Sequence, residues 1–224
     1  MPAKTKSAVK HVLIVDDHPM MRQGLAQLID NELDLKVVAE ADTGGQGLDI
    51  VVKQKLDLAV LDISLPDKNG LELIKDVRSV RPGLPILIVS MHDEALYAER
   101  VLRAGARGYI MKQEGGKKLL QAIRQVLNGQ IYVSEKMSAR ILESFSGHRP
   151  EETASPVARL SDREFEVFQL IGQGKGTKEI AQHLNLSVKT VEVHRAKIKE
   201  KLSLVTATDL VRYAVRWAEA QGTA

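Results

Sequence analysis

Five polar residues in the first half of the chain have the types and positions that phosphoryl chemistry needs. Asp16 and Asp17 follow the apolar run His11 to Val15, Asp62 follows Leu58 to Leu61, Ser90 follows Ile86 to Val89, and Lys112 comes just after Gly108 to Ile110. Each stands past the carboxyl end of a short β-branched run. In open parallel sheets, ligands bind beyond those ends, where the strand order reverses. With strand order 2-1-3-4-5 the first and third runs are neighbours, so three carboxylates converge. Such groups repel one another unless a cation or a proton comes between them, and an all-oxygen donor set favours Mg²⁺ or a similar hard ion. A lysine and a hydroxyl across the same crevice suit a dianionic group. Together they fit phosphoryl transfer to a carboxylate, with metal and lysine neutralising oxygens and an aspartate as nucleophile. Any one aspartate alone reads more readily as a helix cap, and Ser90 could cap a helix starting near Asp93. Five matched positions do not read that way.

The elements that must position these residues are visible in the hydrophobic pattern. Strands are expected at His11 to Val15, Lys36 to Ala39, Leu58 to Leu61, Ile86 to Val89 and Gly108 to Ile110. Amphipathic helices follow at 19–30, 43–54, 69–80, 93–104 and 116–127. Continuous apolar strands belong to a parallel sheet covered by helices on both faces, which predicts a doubly wound (βα)5 domain over residues 10–129. Residues 130–156 read as a linker carrying one helix at 134–145, because 146–156 has no apolar periodicity and two prolines. Residues 157–221 read as a second, all-helical domain with helices at 162–172, 177–184, 188–202 and 206–219, the first opened by a Ser161/Glu164 capping box. Glycines 172, 174 and 176 follow a helix rather than a strand, so they read as a helix stop and not as a phosphate loop.

Composition narrows the classes. The chain has 224 residues, 44% of them hydrophobic and 27% charged, which excludes disorder and fibrous repeats. No apolar run approaches the roughly 20 residues of a membrane span. It has no cysteine, hence no disulfide, thiolate metal site or thiol nucleophile. The cytoplasm is the expected location. Residues 1–156 carry 21 basic and 21 acidic residues, while 157–224 carry 11 and 8, so the whole net charge of +3 sits in the last third. Lys189, Arg195, Lys197, Lys199 and Lys201 concentrate it. A basic cluster of this kind suits a polyanion, although on a helix it also reads as a solvated face.

The segments Val12-Leu-Ile-Val-Asp-Asp17, Leu61-Asp-Ile-Ser-Leu-Pro-Asp-Lys-Asn-Gly70, Val89-Ser90 and Gly105-Ala-Arg-Gly-Tyr-Ile-Met-Lys112 resemble the receiver domain of bacterial two-component response regulators. The resemblance implies that Asp62 accepts a phosphoryl group from a sensor histidine kinase or a small phosphodonor. It implies that Asp16, Asp17, Asp62 and the Ser64 backbone carbonyl hold Mg²⁺. Ser90 and Lys112 then contact phosphoryl oxygens, and Tyr109 is the aromatic that changes rotamer on activation. The sequence departs from the pattern at Gln113, where many receivers have proline, and at Leu65, often methionine. A phosphotransferase or phosphatase acting on a small metabolite is the alternative from the enzyme class. Its dehalogenase-type form needs Asp-x-Asp after the first strand, which Asp16-Asp17 lacks.

In the last third, 177–202 reads as helix, turn, helix, with Asn185 at the turn and Ser187 capping the second helix. Val191, Ile198 and Leu202 form its buried stripe and leave Lys189, Glu192, Val193, Ala196 and Lys199 pointing outward. Such a face can enter a major groove while flanking cations meet phosphates. Leu160-Ser-Asp-Arg-Glu-Phe-Glu-Val-Phe-Gln-Leu-Ile171, Lys178-Glu-Ile-Ala181, Leu186-Ser-Val-Lys-Thr-Val-Glu-Val-His-Arg195 and Leu210-Val-Arg-Tyr-Ala-Val-Arg216 resemble the LuxR-type DNA-binding domain, and with a receiver they resemble the NarL/FixJ family. The resemblance implies that 188–202 is the recognition helix, with Glu192, Val193 and Ala196 near base edges. Thr177, Lys178, Arg195, Lys197 and Lys201 are expected at or beside the DNA backbone, and His194 in packing. Helix 206–217 is expected at a dimer contact. Double-stranded promoter DNA, a second copy of the phosphorylated chain and RNA polymerase complete the expected partners.

Overall fold

A computed structural model describes residues 8–145, 156–184 and 186–220. The stretch 146–155 read as linker, the turn residue Asn185 and the last residue of the second domain lie outside the described residues. The chain divides into two compact units, residues 1–141 and 142–224.

The first unit is a five-stranded parallel sheet in the order β2-β1-β3-β4-β5. Its strands are β1 (Lys10–Val15), β2 (Leu35–Ala41), β3 (Leu58–Leu61), β4 (Ile86–Ser90) and β5 (Gly108–Met111). Between and after them come α1 (Pro19–Asp30), α2 (Gly44–Lys53), α3 (Gly70–Val80), α4 (Glu94–Ala104) and α5 (Gly116–Leu127). Alternation along each strand decides which face a residue enters. Val12, Ile14, Leu58, Val60, Leu87, Val89 and Ile110 pack with Leu25 and Ile29 of α1 and with Leu119, Ile123 and Val126 of α5. Their neighbours Leu13, Leu61, Ile86 and Ile88 are equally buried and turn to the opposite face, which leaves none of these strands a solvent side. Each such side chain contributes roughly 1.5–3 kcal/mol on burial. That is why these strands read as continuous apolar runs.

Three of these helices begin where a short polar side chain takes up a free backbone N–H group. Thr43, Asn69 and Asp93 cap α2, α3 and α4. Asp93 fills the cap position that Ser90 was eligible for. The first unit also runs further than the strand–helix alternation marks. Tyr132 lies alongside β5, donating to the Arg107 carbonyl and accepting from the Tyr109 N–H. The next helix, α6 (Glu135–Phe145), buries Met137.

The second unit contains α7 (Asp162–Gly172), α8 (Thr177–His183), α9 (Val188–Lys201) and α10 (Ala207–Ala220). Phe165 and Phe168 of α7 meet Trp217 of α10 edge-on, with ring centroids 5.6 and 5.4 Å apart. The Ser161/Glu164 capping box forms as the spacing predicts. Gly174 adopts φ +80°, the left-handed turn that stops α7, so the glycine run ends a helix.

Candidate functional site

The strand order brings the ends of β1 and β3 side by side, and β4 and β5 complete one rim. Asp16 and Asp62 are buried there, with Lys112 extended between them. The Lys112 Nζ lies 2.7 Å from Asp16 Oδ2 and 2.8 Å from Asp62 Oδ2, and its side chain is only 3% exposed. Gln113 in place of proline does not prevent this reach. Burial pushes the Asp62 carboxyl above the usual carboxylate range, with Asp16 adding to the rise and Lys112 opposing it. Burial also works against the Lys112 ammonium, yet Asp62 and Asp16 hold it above the ordinary lysine value. The crevice therefore stores one cation tightly clamped between carboxylates. An incoming dianion could take that cation over.

The loop after β3 closes on itself. Asp62 Oδ1 accepts from the N–H groups of Ile63 (2.6 Å) and Ser64 (3.3 Å), and Gly70 donates to the Ile63 carbonyl. A Cβ at Gly70 would stand 2.6 Å from Ile63 Cα and 2.7 Å from the Asp62 carbonyl oxygen, so only glycine lets the loop return this closely. Asp16 Oδ1 accepts from the His18 N–H, while the Asp16 carbonyl accepts from the Arg22 guanidinium at 2.6 Å. His18 Nδ1 lies 2.7 Å from Asp17 Oδ1.

Ser90 is fully buried, and its Oγ accepts from the His92 N–H at 3.2 Å. Tyr109 is turned inward, donating its phenol to the His92 carbonyl at 2.7 Å; burial raises its pKa. His92 Nε2 lies 2.8 Å from Ser64 Oγ, and its ring stacks on Tyr97. Burial, with Lys112 nearby, keeps that imidazole below its usual pKa. The five residues singled out in sequence thus meet at one crevice, with Ser64 and Tyr109 at its edge. His18, Arg22 and His92 were missed. His18 and His92 each sit within two residues of a strand-end polar group, and that proximity was the only available signal.

In the second unit, α8 and α9 form the helix-turn-helix. Val191 and Ile198 of α9 are fully buried, while α9 ends at Lys201 and leaves Leu202 half-buried at its cap rather than within the helical stripe. Lys178, Lys189, Glu192, Val193, Ala196 and Lys197 are exposed, and Thr177, Arg195 and Lys199 half-buried at the margins. Lys201 differs from the other cations: its Nζ lies 2.6 Å from Glu164 Oε2, a carboxylate only 5% exposed at the start of α7. It ties α9 to α7 and does not join the exposed set. His194 is half-buried, its Nδ1 enclosed without a hydrogen-bond partner, as fits packing.

Residues 12–124 match the response regulator receiver domain family, and residues 158–214 match the bacterial regulatory proteins of the luxR family. The oxygen regulatory protein NreC of Staphylococcus haemolyticus (strain JCSC1435) is 37% identical over 92% of this chain and 96% of the relative. NreC of Staphylococcus aureus (strain NCTC 8325 / PS 47) is 38% identical with the same coverage. The chain belongs to the NarL/FixJ family of response regulators. Among solved structures, RcsB from Salmonella enterica serovar Typhimurium, bound to promoter P1flhDC with the phosphomimetic BeF3⁻, is 25% identical. It covers 92% of this chain and 98% of its own, with TM-score 0.70. A second RcsB structure, from a study of conformational dynamism for DNA interaction, gives TM-score 0.73 at 26% identity, covering 93% and 98%. This response regulator is accordingly a phosphorylation-dependent, DNA-binding transcription regulator of the two-component type.

The donor set of the regulator's crevice suits a hard divalent cation. Asp16, Asp17, His18 and Asp62 offer atoms all within 4.8 Å of one another. Asp16 Oδ2 and Asp17 Oδ1 are enclosed yet lack a well-formed hydrogen bond, although Lys112 and His18 stand close by as ion-pair partners. Carboxylate oxygens left in that state are what a cation would satisfy. Among the described residues no helix is long and apolar enough to cross a membrane.

Proposed function

We propose that Asp62 is the phosphoacceptor of this response regulator and that α9 reads promoter DNA. The observation that carries the first part is the Lys112 ammonium held between Asp16 and Asp62. In the transfer, one Asp62 oxygen bonds to phosphorus while the bond from phosphorus to the donor breaks, and the electron pair departs with the donor group. The donor is a phosphohistidine of a sensor kinase or a small acyl phosphate. Lys112 moves its charge from the carboxylates to the new phosphoryl oxygens, and Ser90 turns its hydroxyl to the same group, giving up its bond to the His92 N–H. Asp16, Asp17, Asp62 and the Ser64 carbonyl would hold Mg²⁺. That cation supplies neutralisation of phosphoryl charge when bound. Turnover is confined to the chain's own phosphoryl group.

The DNA face rests on the exposed set along α9. In this reading the exposed Glu192, Val193 and Ala196 meet base edges, and the exposed Lys178, Lys189 and Lys197 meet phosphates. A unit of this size covers little groove, so two copies on adjacent half-sites give the specific complex, assembled by the phosphorylated chain in the cytoplasm. RNA polymerase is the partner through which such a complex acts on transcription. Incubation with acetyl phosphate and Mg²⁺ tests the acceptor. It should add one acid-stable, base-labile phosphoryl group to the chain and none to Asp62→Asn; equal labelling of both would reject the assignment.

A further inference from the structure

One buried carboxylate of the first unit has no part in this chemistry. Glu94, in the first turn of α4, is 8% exposed. A glutamate there would gain from the helix N-terminus even in full contact with water, and needs no burial to do so. Its Oε1 instead accepts from the Ser134 N–H at 2.7 Å, across 40 residues of sequence. Ser134 is the residue at which α6 begins: its Oγ accepts from the Met137 N–H and its carbonyl from Ser138. Arg140, two turns along, reaches the Ala95 carbonyl beside Glu94. The start of α6 is thus hung on the first turn of α4.

That turn is tied in the other direction to the phosphorylation crevice. Ser90 accepts from the His92 N–H, Tyr109 donates to the His92 carbonyl, and the His92 ring stacks on Tyr97, one turn into α4. Tyr109 also gives its backbone N–H to Tyr132, just ahead of Ser134. Burial raises the pKa of the Tyr109 and Tyr132 phenols, and the Glu94 charge adds to both rises. When Ser90 and Tyr109 change partners, the His92 backbone loses both of these side-chain bonds, and Glu94 lies two residues on.

We propose that Glu94 is the positioning residue that couples the Asp62 crevice to α6, the helix in which the first unit ends in sequence. In the unphosphorylated chain it holds the α6 start. On phosphorylation the shift of residues 91–93 draws the carboxylate off the Ser134 N–H and frees α6 from the receiver. This coupling rests on the reading of Asp62 as phosphoacceptor.

The test is amide hydrogen exchange of the full chain with and without Mg²⁺ and BeF3⁻, with the fluorine resonance of bound BeF3⁻ recorded in parallel. Loss of a hydrogen bond to a charged acceptor should speed Ser134 exchange roughly tenfold or more, while Val12 and Ile14 in β1 stay protected. A bound fluoride signal with unchanged Ser134 exchange overturns the coupling alone. Absence of that signal overturns the Asp62 reading and the coupling with it. A second arm measures affinity for a DNA fragment selected by the chain from a random library. Glu94→Ala should lose the affinity difference between the BeF3⁻-treated and untreated chain, with Asp62 labelling by acetyl phosphate intact. Glu94→Gln, which keeps an acceptor oxygen, should recover part of it. A cap that serves only stability would leave that ratio as in the parent chain, and such a result would overturn the proposal.

Discussion

Replacing Lys112 with methionine keeps most of its volume and removes the one charge that Asp16 and Asp62 share. Two charged contacts are lost, a hydrogen bond to Asp62 at 2.8 Å and an ion pair with Asp16 at 2.7 Å. At about 1.5–3 kcal/mol each they set an upper cost of about 3–6 kcal/mol. Proton uptake by one of the facing carboxylates holds the loss to the lower end, about 3 kcal/mol. For a unit of this size that lowers the unfolding temperature by roughly 6–12 °C. The pH dependence has a definite sign. With the ammonium gone, a carboxyl facing its neighbour has a folded pKa above the ordinary 3.8. Its penalty is present in full above that raised value and relieved as pH falls through it. The Lys112→Met chain should therefore close the gap to the parent on acidification, and added Mg²⁺ should close it at neutral pH. Calorimetry of the full chain measures this, and the single tryptophan, Trp217, lies in α10, so its fluorescence identifies the transition of the second unit. An unchanged first-unit transition at pH 7 without Mg²⁺, or a gap that widens on acidification, would refute the argument.

Three further outcomes follow from named contacts. Gly70→Ala must displace backbone at Ile63 and Asp62, so it should cost about 1–3 kcal/mol and slow acetyl phosphate labelling, both read on the full chain. Glu164 is buried, which raises its pKa, but Lys201 and Ser161 bring it below the ordinary 4.5. A lowered folded pKa stabilises above the unfolded value and ceases to do so as pH falls through the folded one. The Trp217-reported transition should therefore weaken below about pH 4.5 in the parent chain, and less so in Glu164→Gln. Removal of Lys189 or Lys197 should weaken binding to all DNA sequences alike and reduce the slope of log K against log salt by about 0.9 each. Glu192→Ala should change which sequence is preferred, and a uniform loss with no change of preference would remove Glu192 from the groove-facing set.

Much of the site was legible because the chemistry sits at strand ends. A polar residue directly after a continuous apolar run can only stand at the rim of a buried parallel sheet, and five such residues on four strands define one crevice. The order β2-β1-β3-β4-β5 makes β1 and β3 neighbours, which is the condition on which their three carboxylates meet. Contacts between loops carry no such period. The Ser64–His92 and Glu94–Ser134 bonds span 28 and 40 residues between segments with no repeating pattern, so the sequence offered nothing to align them. Tyr132 escaped notice for a related reason. A single residue paired to β5 is too short for strand alternation to register. In α9 the basic cluster was visible but not its division of labour. Charge runs do not say which cation pairs within the fold, and Lys201, with its side chain still 38% exposed, does so with the buried Glu164 carboxylate.

The central claim is that a phosphoryl group on Asp62 controls DNA binding by α9. Binding isotherms of the full chain on one selected DNA fragment, with and without acetyl phosphate and Mg²⁺, for the parent and for Asp62→Asn, test it directly. The phosphorylated parent should bind more tightly, and Asp62→Asn should show no response. An equal gain in both chains, or none in a parent shown to be phosphorylated at Asp62, would contradict it.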